Sequence, residues 1–330
     1  MSYRAFGDSV TEGYNATSAS FAWVNVLGAA IGQTIVNLGN AGDMVPDKAD
    51  EVYGTTAAAG DVSFLTLGIN DQRIYGSDAV KRGYFERGLL AEAVWLATGA
   101  RQTGISVAAE TGTWENTQVY GIGRCARTAG STKTFQVAGT TIYLGFILQN
   151  GQAGAFDLFI DGVSRGSFVT SASPPMTTYH GLSYGPQALR VAGLGAGVHT
   201  VQVVVSAGDR VYVDWVAGNE QAVKPRVLIG TVLRAASYGN GGSDANVDAY
   251  NAVIAGIVAV LQADGLNVTL VDLHAALNIT SDLDTDGLHP NNAGHAKIAA
   301  AYQAALGGAP LTSAQVLMFC LTLLVAGNET

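Results

Sequence analysis

Two short segments at opposite ends of the chain hold side chains suited to nucleophilic chemistry. Gly7-Asp8-Ser9-Val10-Thr11-Glu12-Gly13 directly follows a strand-like run, and Asp286-Gly287-Leu288-His289-Pro290-Asn291 sets a carboxylate three residues before an imidazole. A serine hydroxyl attacks when a base working near neutral pH takes its proton, and that base needs a partner to fix its tautomer. Histidine and aspartate supply these two roles. A serine just past the carboxyl end of a strand also stands where open α/β folds bind ligands. The first segment alone reads equally as a small-residue turn, and the second can also be read as a surface turn capped by Asp286, so the weight lies on their pairing.

The elements around them must bring the two ends together. The first hundred residues alternate strand-like and helix-like segments: Arg4 to Phe6, Ser18 to Gly32, Thr34 to Leu38, Asp47 to Ala59, Val62 to Leu67 and Ala79 to Ala97. Such alternation predicts a parallel sheet with helices on both faces. From about Thr111 to Val216 the helical period disappears, and Lys133 to Val137, Thr141 to Leu148, Ala155 to Ile160, Gly197 to Val205 and Arg210 to Val216 read as strands of an all-β insert. Asp161-Gly162 is a hairpin dipeptide, and Ala207-Gly208-Asp209 separates two further strands. The α/β texture resumes with a strand from Val227 to Leu233, a helix from Asp244 to Ala263, a strand from Val268 to Leu273 and a helix from Asn291 to Leu306. The insert leaves after a helix and returns just before a strand, which predicts a root at the sheet edge opposite the strand carboxyl ends.

Composition narrows the classes. Lys and Arg total 17 against 26 Asp and Glu, for a net charge of −9, and no basic run offers a phosphate-tracking surface, so nucleic acid is not expected as a partner. The most apolar run, Val316 to Ala326, is shorter than the roughly 20 residues a membrane-spanning helix needs. It reads as a packed helix able to join two copies of the chain. Cys125 and Cys320 read as buried thiols. The N-terminus shows no apolar signal segment, which leaves a cytoplasmic location or an unmarked virion or extracellular route open.

Taken together, Gly7-Asp8-Ser9, Asn37-Leu38-Gly39, Gly68-Ile69-Asn70-Asp71 and Asp286-Gly287-Leu288-His289 resemble the four sequence blocks of the SGNH, or GDSL-type, hydrolases, in family order. The resemblance covers about residues 1–100 and 222–308 and leaves the insert uncovered. It implies Ser9 as nucleophile, His289 as base and Asp286 as orienting acid, with an oxyanion hole from the Ser9 N–H, the Gly39 N–H and the Asn70 side chain. It implies a three-layer α/β/α sandwich, flavodoxin-like with a mostly parallel sheet, divided as residues 1–103 and 222–308. A jelly-roll-like sandwich, 104–221, interrupts it, and a C-terminal apolar helix, 309–330, follows. Val10-Thr11-Glu12 departs from many relatives in ways that touch pocket shape rather than the triad.

The insert's closing strands look like those of a carbohydrate-binding module. Trp114, Tyr120, Tyr143, Tyr179, Tyr184 and Trp215 offer faces for sugar rings, although aromatics in a small sandwich belong more often to its core. Asp282-Leu283-Asp284-Thr285-Asp286-Gly287 imitates the start of a calcium loop, but Ala293 stands where its bidentate glutamate belongs. Gly121-Ile122-Gly123 and Gly193-Leu194-Gly195 are turns rather than dinucleotide loops. His180, His199, His274 and His295 lack metal-ligand spacing, so neither metal nor cofactor is expected. A β module beside an esterase points to an acylated polysaccharide or glycan as substrate. A lipid or small-ester hydrolase, and a glycan-binding or virion structural protein with a secondary or silent esterase, are the alternatives.

Overall fold

The computed structural model describes residues 1–103, 106–116, 119–122, 124–151, 154–208, 210–220 and 224–307; the expected helix at 309–330 and Cys320 lie outside these residues. The chain opens with β1 (Tyr3–Gly7), α1 (Ser9–Glu12), α2 (Trp23–Ile31), β2 (Ile35–Gly39), α3 (Val45–Gly54), β3 (Val62–Thr66), α4 (Ile69–Tyr75), α5 (Ala79–Thr98) and α6 (Ala100–Thr103). The β insert comprises β4 (Ala109–Thr111), β5 (Trp114–Glu115), β6 (Arg124–Ala126), β7 (Thr132–Ala138), β8 (Thr141–Gln149), β9 (Ala155–Ile160), β10 (Val163–Val169), β11 (Tyr184–Ala192), β12 (Val198–Ala207) and β13 (Val211–Gly218). Then follow β14 (Arg226–Gly230), α7 (Asp244–Ala263), β15 (Val268–Val271), α8 (Leu273–Ala276) and α9 (Asn292–Ala305).

The first sheet has the order β15-β14-β3-β1-β2, and every pairing in it is parallel. Helices cover both of its faces. Trp23, Val24 and Leu27 of α2 join Ile298, Ala299 and Tyr302 of α9 on one face. On the other, Val45, Ala49 and Val52 of α3 meet Phe85 and Leu89 of α5 and Ile254 and Val258 of α7. Burial from both sides explains why central β3 is buried at every residue, whereas Val36 on edge strand β2 is exposed. Numbered within this sheet, the order is 2-1-3-4-5, and it reverses direction between β1 and β3, where such folds open a crevice at the strand carboxyl ends.

Local sequence sets the helix limits. Asp47 accepts the Met44 N–H with Pro46 in the first turn, so α3 begins two residues before the expected start and ends at Gly54. Ser243 caps α7, whose Val247, Tyr250, Ile254, Ile257, Val258 and Leu261 form one buried stripe. Asn291 caps α9.

The insert is a sandwich of two antiparallel sheets, β10-β9-β12-β7-β4 and β11-β8-β13-β6-β5. Phe135, Phe146, Phe156, Leu158, Val203 and Val213 interdigitate between them. Asp161 and Gly162 both take positive φ, 52° and 75°, as a two-residue hairpin turn between β9 and β10 requires. The root lies where expected, opposite the strand carboxyl ends: the insert leaves after α6, whose Arg101 donates to Tyr53 O, and returns into Arg226, paired with Val62 at the start of β3, yet its body extends to the carboxyl ends. β11 packs along α3 and α5, and residues 170–183 reach the turn that follows β2. The cause is the outer face of β11, β8 and β13, which is apolar and needs cover. Tyr143 and Trp215 join Tyr53 and Trp95 in one continuous core.

Candidate active site

Parallel register aligns the ends of three strands, with Gly7 opposite both Gly39 and Thr66. Ser9 begins α1 two residues beyond Gly7. Asp8 caps that helix by accepting the Val10 N–H at 2.9 Å. Ser9 is buried but for 6 % of its surface, and its Oγ lies 2.9 Å from His289 Nε2. His289 Nδ1 lies 2.6 Å from Asp286 Oδ2. An Nε2 that accepts from the serine carries its ring proton on Nδ1, which then donates to Asp286. Ser9, His289 and Asp286 are thus brought together in one hydrogen-bonded chain across 280 residues of sequence.

The carboxylate is held on all sides. Asp286 Oδ1 accepts the backbone N–H groups of Leu288 and His289, at 2.9 and 3.0 Å, while Oδ2 also accepts from Asn15 Nδ2 at 2.8 Å. Partial burial pushes its pKa up, but the donors from His289 and Leu288 outweigh this and hold it at about 2. Asn15 takes φ 65°, and the neighbouring Tyr14 ring lies 4.6 Å from the imidazole. Neither residue was marked in the sequence, where only their nearness to the serine block hinted at a role. The histidine loop is pinned as well: Gly287 O accepts from the N–H groups of Ala236 and Ser237, and Asn291 Nδ2 donates to Ser281 O and Leu283 O.

The three expected oxyanion donors fare differently. Among the described residues no acceptor takes the Ser9 N–H. Asn70, 3 % exposed at the start of α4, donates one amide hydrogen to Asp43 O at 3.0 Å and accepts from Arg73 at its Oδ1, which leaves a second hydrogen to offer. Gly39 departs from the expectation. Its N–H donates to Asn37 Oδ1 at 2.9 Å, and a Cβ there would stand 2.1 Å from Glu12 N, so it packs against α1 with its donor taken. Gly42, three residues on, has the conformation expected of a donor turn: φ is 86°, and no acceptor takes its N–H among the described residues. The sequence does contain this signal, a second glycine directly before Asp43.

The turn 40–43 is built from beneath. Lys48, fully buried, donates to Leu38 O at 2.6 Å and pairs with Asp43 Oδ2 at 2.7 Å, while Asn40 Nδ2 reaches Asp43 Oδ1 at 2.7 Å. Asp282 of the calcium-like run pairs with Lys297 at 2.5 Å and accepts the Asn278 N–H. His199 is held between Asp161 and Gly195 O. Buried His295, its pKa lowered to about 4 by desolvation, reaches Tyr14 O behind the site. No His, Cys, Asp and Glu cluster with metal-holding geometry occurs among the described residues.

The serine–histidine–aspartate chain stands at the switch point of a parallel sheet covered by helices on both faces, an arrangement chemically suited to nucleophilic attack by Ser9. The GDSL-like lipase/acylhydrolase family model matches residues 219–302, the segment carrying β14, α7, β15, Asp286 and His289. No curated protein matches the chain. Three solved structures are similar to the chain over most of its length. A putative arylesterase from Agrobacterium tumefaciens is 13% identical, with 93% of this chain and 99% of that chain covered and a TM-score of 0.47. A family 3 carbohydrate esterase from Clostridium thermocellum is 14% identical, with 92% and 94% covered and a TM-score of 0.42. A lipolytic G-D-S-L family protein from Veillonella parvula is 15% identical, with 93% and 97% covered and a TM-score of 0.41.

Proposed function

We propose that this protein is a serine esterase that removes acyl groups, acetyl first among them, from a polysaccharide or glycan. The carrying observation is the chain from Ser9 Oγ to His289 Nε2, 2.9 Å, and from His289 Nδ1 to Asp286 Oδ2, 2.6 Å. Ser9 attacks the ester carbonyl while His289 takes its proton, and Asp286 steadies the imidazolium. The Ser9 and Gly42 N–H groups and the free Asn70 hydrogen face the developing oxyanion. His289 then returns the proton to the departing alcohol, and water, activated by the same base, releases the acid.

The surroundings favour a hydroxyl-rich alcohol over a lipid. A cleft of about 410 Å³ opens beside the turn 40–43, lined by Asp43, Asp47, Glu51, His180, Tyr120 and Tyr184, with Leu182 the one aliphatic contributor. Such a lining offers hydrogen-bond partners to sugar hydroxyls and little dry surface to a long acyl chain.

Turnover of a chromogenic acetate by the wild type and Ser9→Ala is the direct test, followed by acetate release from acetylated xylan and by an acyl-length series. The expected outcome is turnover in the wild type, its loss by at least about a thousandfold in the variant, and rates that fall beyond short acyl groups. Equal rates in folded wild type and variant would defeat the mechanism. A preference for long chains would favour lipid.

A further inference from the structure

Six aromatic residues of the insert were candidates for sugar stacking, and the structure separates them. Trp114, Tyr120, Tyr143 and Trp215 are buried and Tyr184 is half-buried, whereas Tyr179 is 56 % exposed. Tyr179 lies in the connection between β10 and β11, and its ring rests on the Gly42 turn: a Cβ at residue 42 would stand 2.4 Å from Tyr179 Cδ1. The insert therefore supplies a wall beside one of the donors assigned above to the oxyanion.

The connection is anchored along its length. Tyr84 Oη donates to Pro174 O at 2.9 Å. Met176 is fully buried against Met44, Tyr75 and Tyr84, and Asn150 both donates to its carbonyl and accepts its N–H. Thr178 Oγ1 donates to Asp47 at 2.8 Å, and His180 Nε2 lies 3.2 Å from Ala41 O and 3.1 Å from Asp43 Oδ1. An exposed ring on a fixed backbone presents apolar area with little conformational entropy left to lose on binding.

We propose that Tyr179 is a specificity-determining residue of the esterase, a platform for the C–H face of a pyranose ring on the alcohol side of the scissile ester. His180, beside it, borders the 410 Å³ cleft where a further sugar ring is held by hydrogen bonds. The substrate class is a neutral acylated oligosaccharide at least two rings long, because Asp47, Asp50 and Glu51 leave the cleft wall net negative beyond the Asp43–Lys48 pair and so repel a uronate. A pyranose presents an apolar C–H face and an equatorial rim of hydroxyls, which suits a ring platform beside a polar cleft. The inference rests on the esterase reading, since it assigns that enzyme's leaving-group side.

The test compares wild type, Tyr179→Ala and Tyr179→Phe on a chromogenic acetate and on acetylated xylo- and manno-oligosaccharides. In Tyr179→Ala, kcat/KM on the oligosaccharide is expected to fall at least tenfold more than on the chromogenic ester, chiefly through KM, and Tyr179→Phe should restore the ratio by restoring the ring. An equal fall on both substrates would reduce Tyr179 to a support for the Gly42 turn and overturn the proposal, as would no fall on either. Calorimetric titration of the same oligosaccharides into Ser9→Ala and Ser9→Ala/Tyr179→Ala keeps the two readings apart. Should the wild type hydrolyse no ester, the esterase reading is lost, while binding that disappears with the Tyr179 ring still supports the platform and binding indifferent to it overturns it.

Discussion

Asn70 is held in one orientation by its neighbours. Arg73 donates to Asn70 Oδ1 and Asp43 O accepts from Asn70 Nδ2, so the amide cannot turn over without losing both contacts. Its remaining hydrogen is a fixed donor in a water-poor place, where electrostatic stabilisation of a developing negative charge is strongest. Asn70→Ala is therefore expected to lower kcat on a chromogenic acetate by about 10²–10³-fold, with KM changed far less. A loss confined to KM would show that Asn70 binds the ground state instead. The residues with chemistry were legible because their types are unusual together: Ser9, Asp286 and His289 met as their sequence contexts suggested. Gly39 was legible as a glycine needed for close approach, and the approach is real, but it is toward Glu12 rather than a substrate. Which of two glycines in one turn keeps a free N–H depends on backbone angles and on the Asn37 side chain, and sequence does not specify those.

At the scale of elements, α1 shows what periodicity misses. It has four residues, too short for a hydrophobic stripe, and is defined instead by Asp8 capping the Val10 N–H and by Gly13 at φ 97°. β11 was hidden for another reason. Pro186 interrupts its pattern, which the strand tolerates because it lies at the sheet edge. β10, exposed almost throughout, has no alternation to read. The cap of α1 is itself under electrostatic tension. Burial raises the pKa of Asp8 to about 7 against the Val10 hydrogen bond, with Asp43 adding to the rise and Lys48 opposing it. A carboxyl whose folded pKa is raised favours the native state below its unfolded pKa, and that contribution is lost as pH climbs from about 4 to about 7. Asp8→Asn keeps an oxygen for Val10 and removes the titration. Its stability relative to wild type should therefore rise from pH 4 to pH 8 by a few kcal/mol, read as a growing difference in Tm. A difference that stays flat over that range would mean that Asp8 does not titrate there.

At the scale of the whole molecule, the question is whether the insert is a bead on the hydrolase or part of its body. The sequence offered the first view, because a change in texture near Thr111 and back near Pro225 looks like a boundary. What it could not display is the second apolar face of the β11-β8-β13 sheet. Tyr53 of α3 and Trp95 of α5 have ring centroids 6.4 and 5.8 Å from that of Trp215, and one core cluster runs from Phe6 through Tyr250 to Tyr143 and Ala188. At the far end of the same contact, Arg190 of β11 forks onto Asp264, just past α7, with 2.7 and 2.5 Å contacts, and Tyr143 Oη and Thr141 Oγ1 donate to the same carboxylate. Asp264 is buried, and hydrogen bonds from Arg190 and Tyr143 overcome the burial that would raise its pKa, so it stays charged and anchored to the insert. Removing the partner of a buried ion costs about 3–5 kcal/mol at full burial, and somewhat less here because Arg190 is 32% exposed. Neither part can unfold without stripping cover from the other, so calorimetry of the intact chain should show one transition whose calorimetric and van't Hoff enthalpies agree. Arg190→Leu should lower the temperature of that transition and keep it single. Two separated transitions in the wild type would show that the shared core does not couple the parts, and that the insert is held beside the hydrolase by its linkers alone.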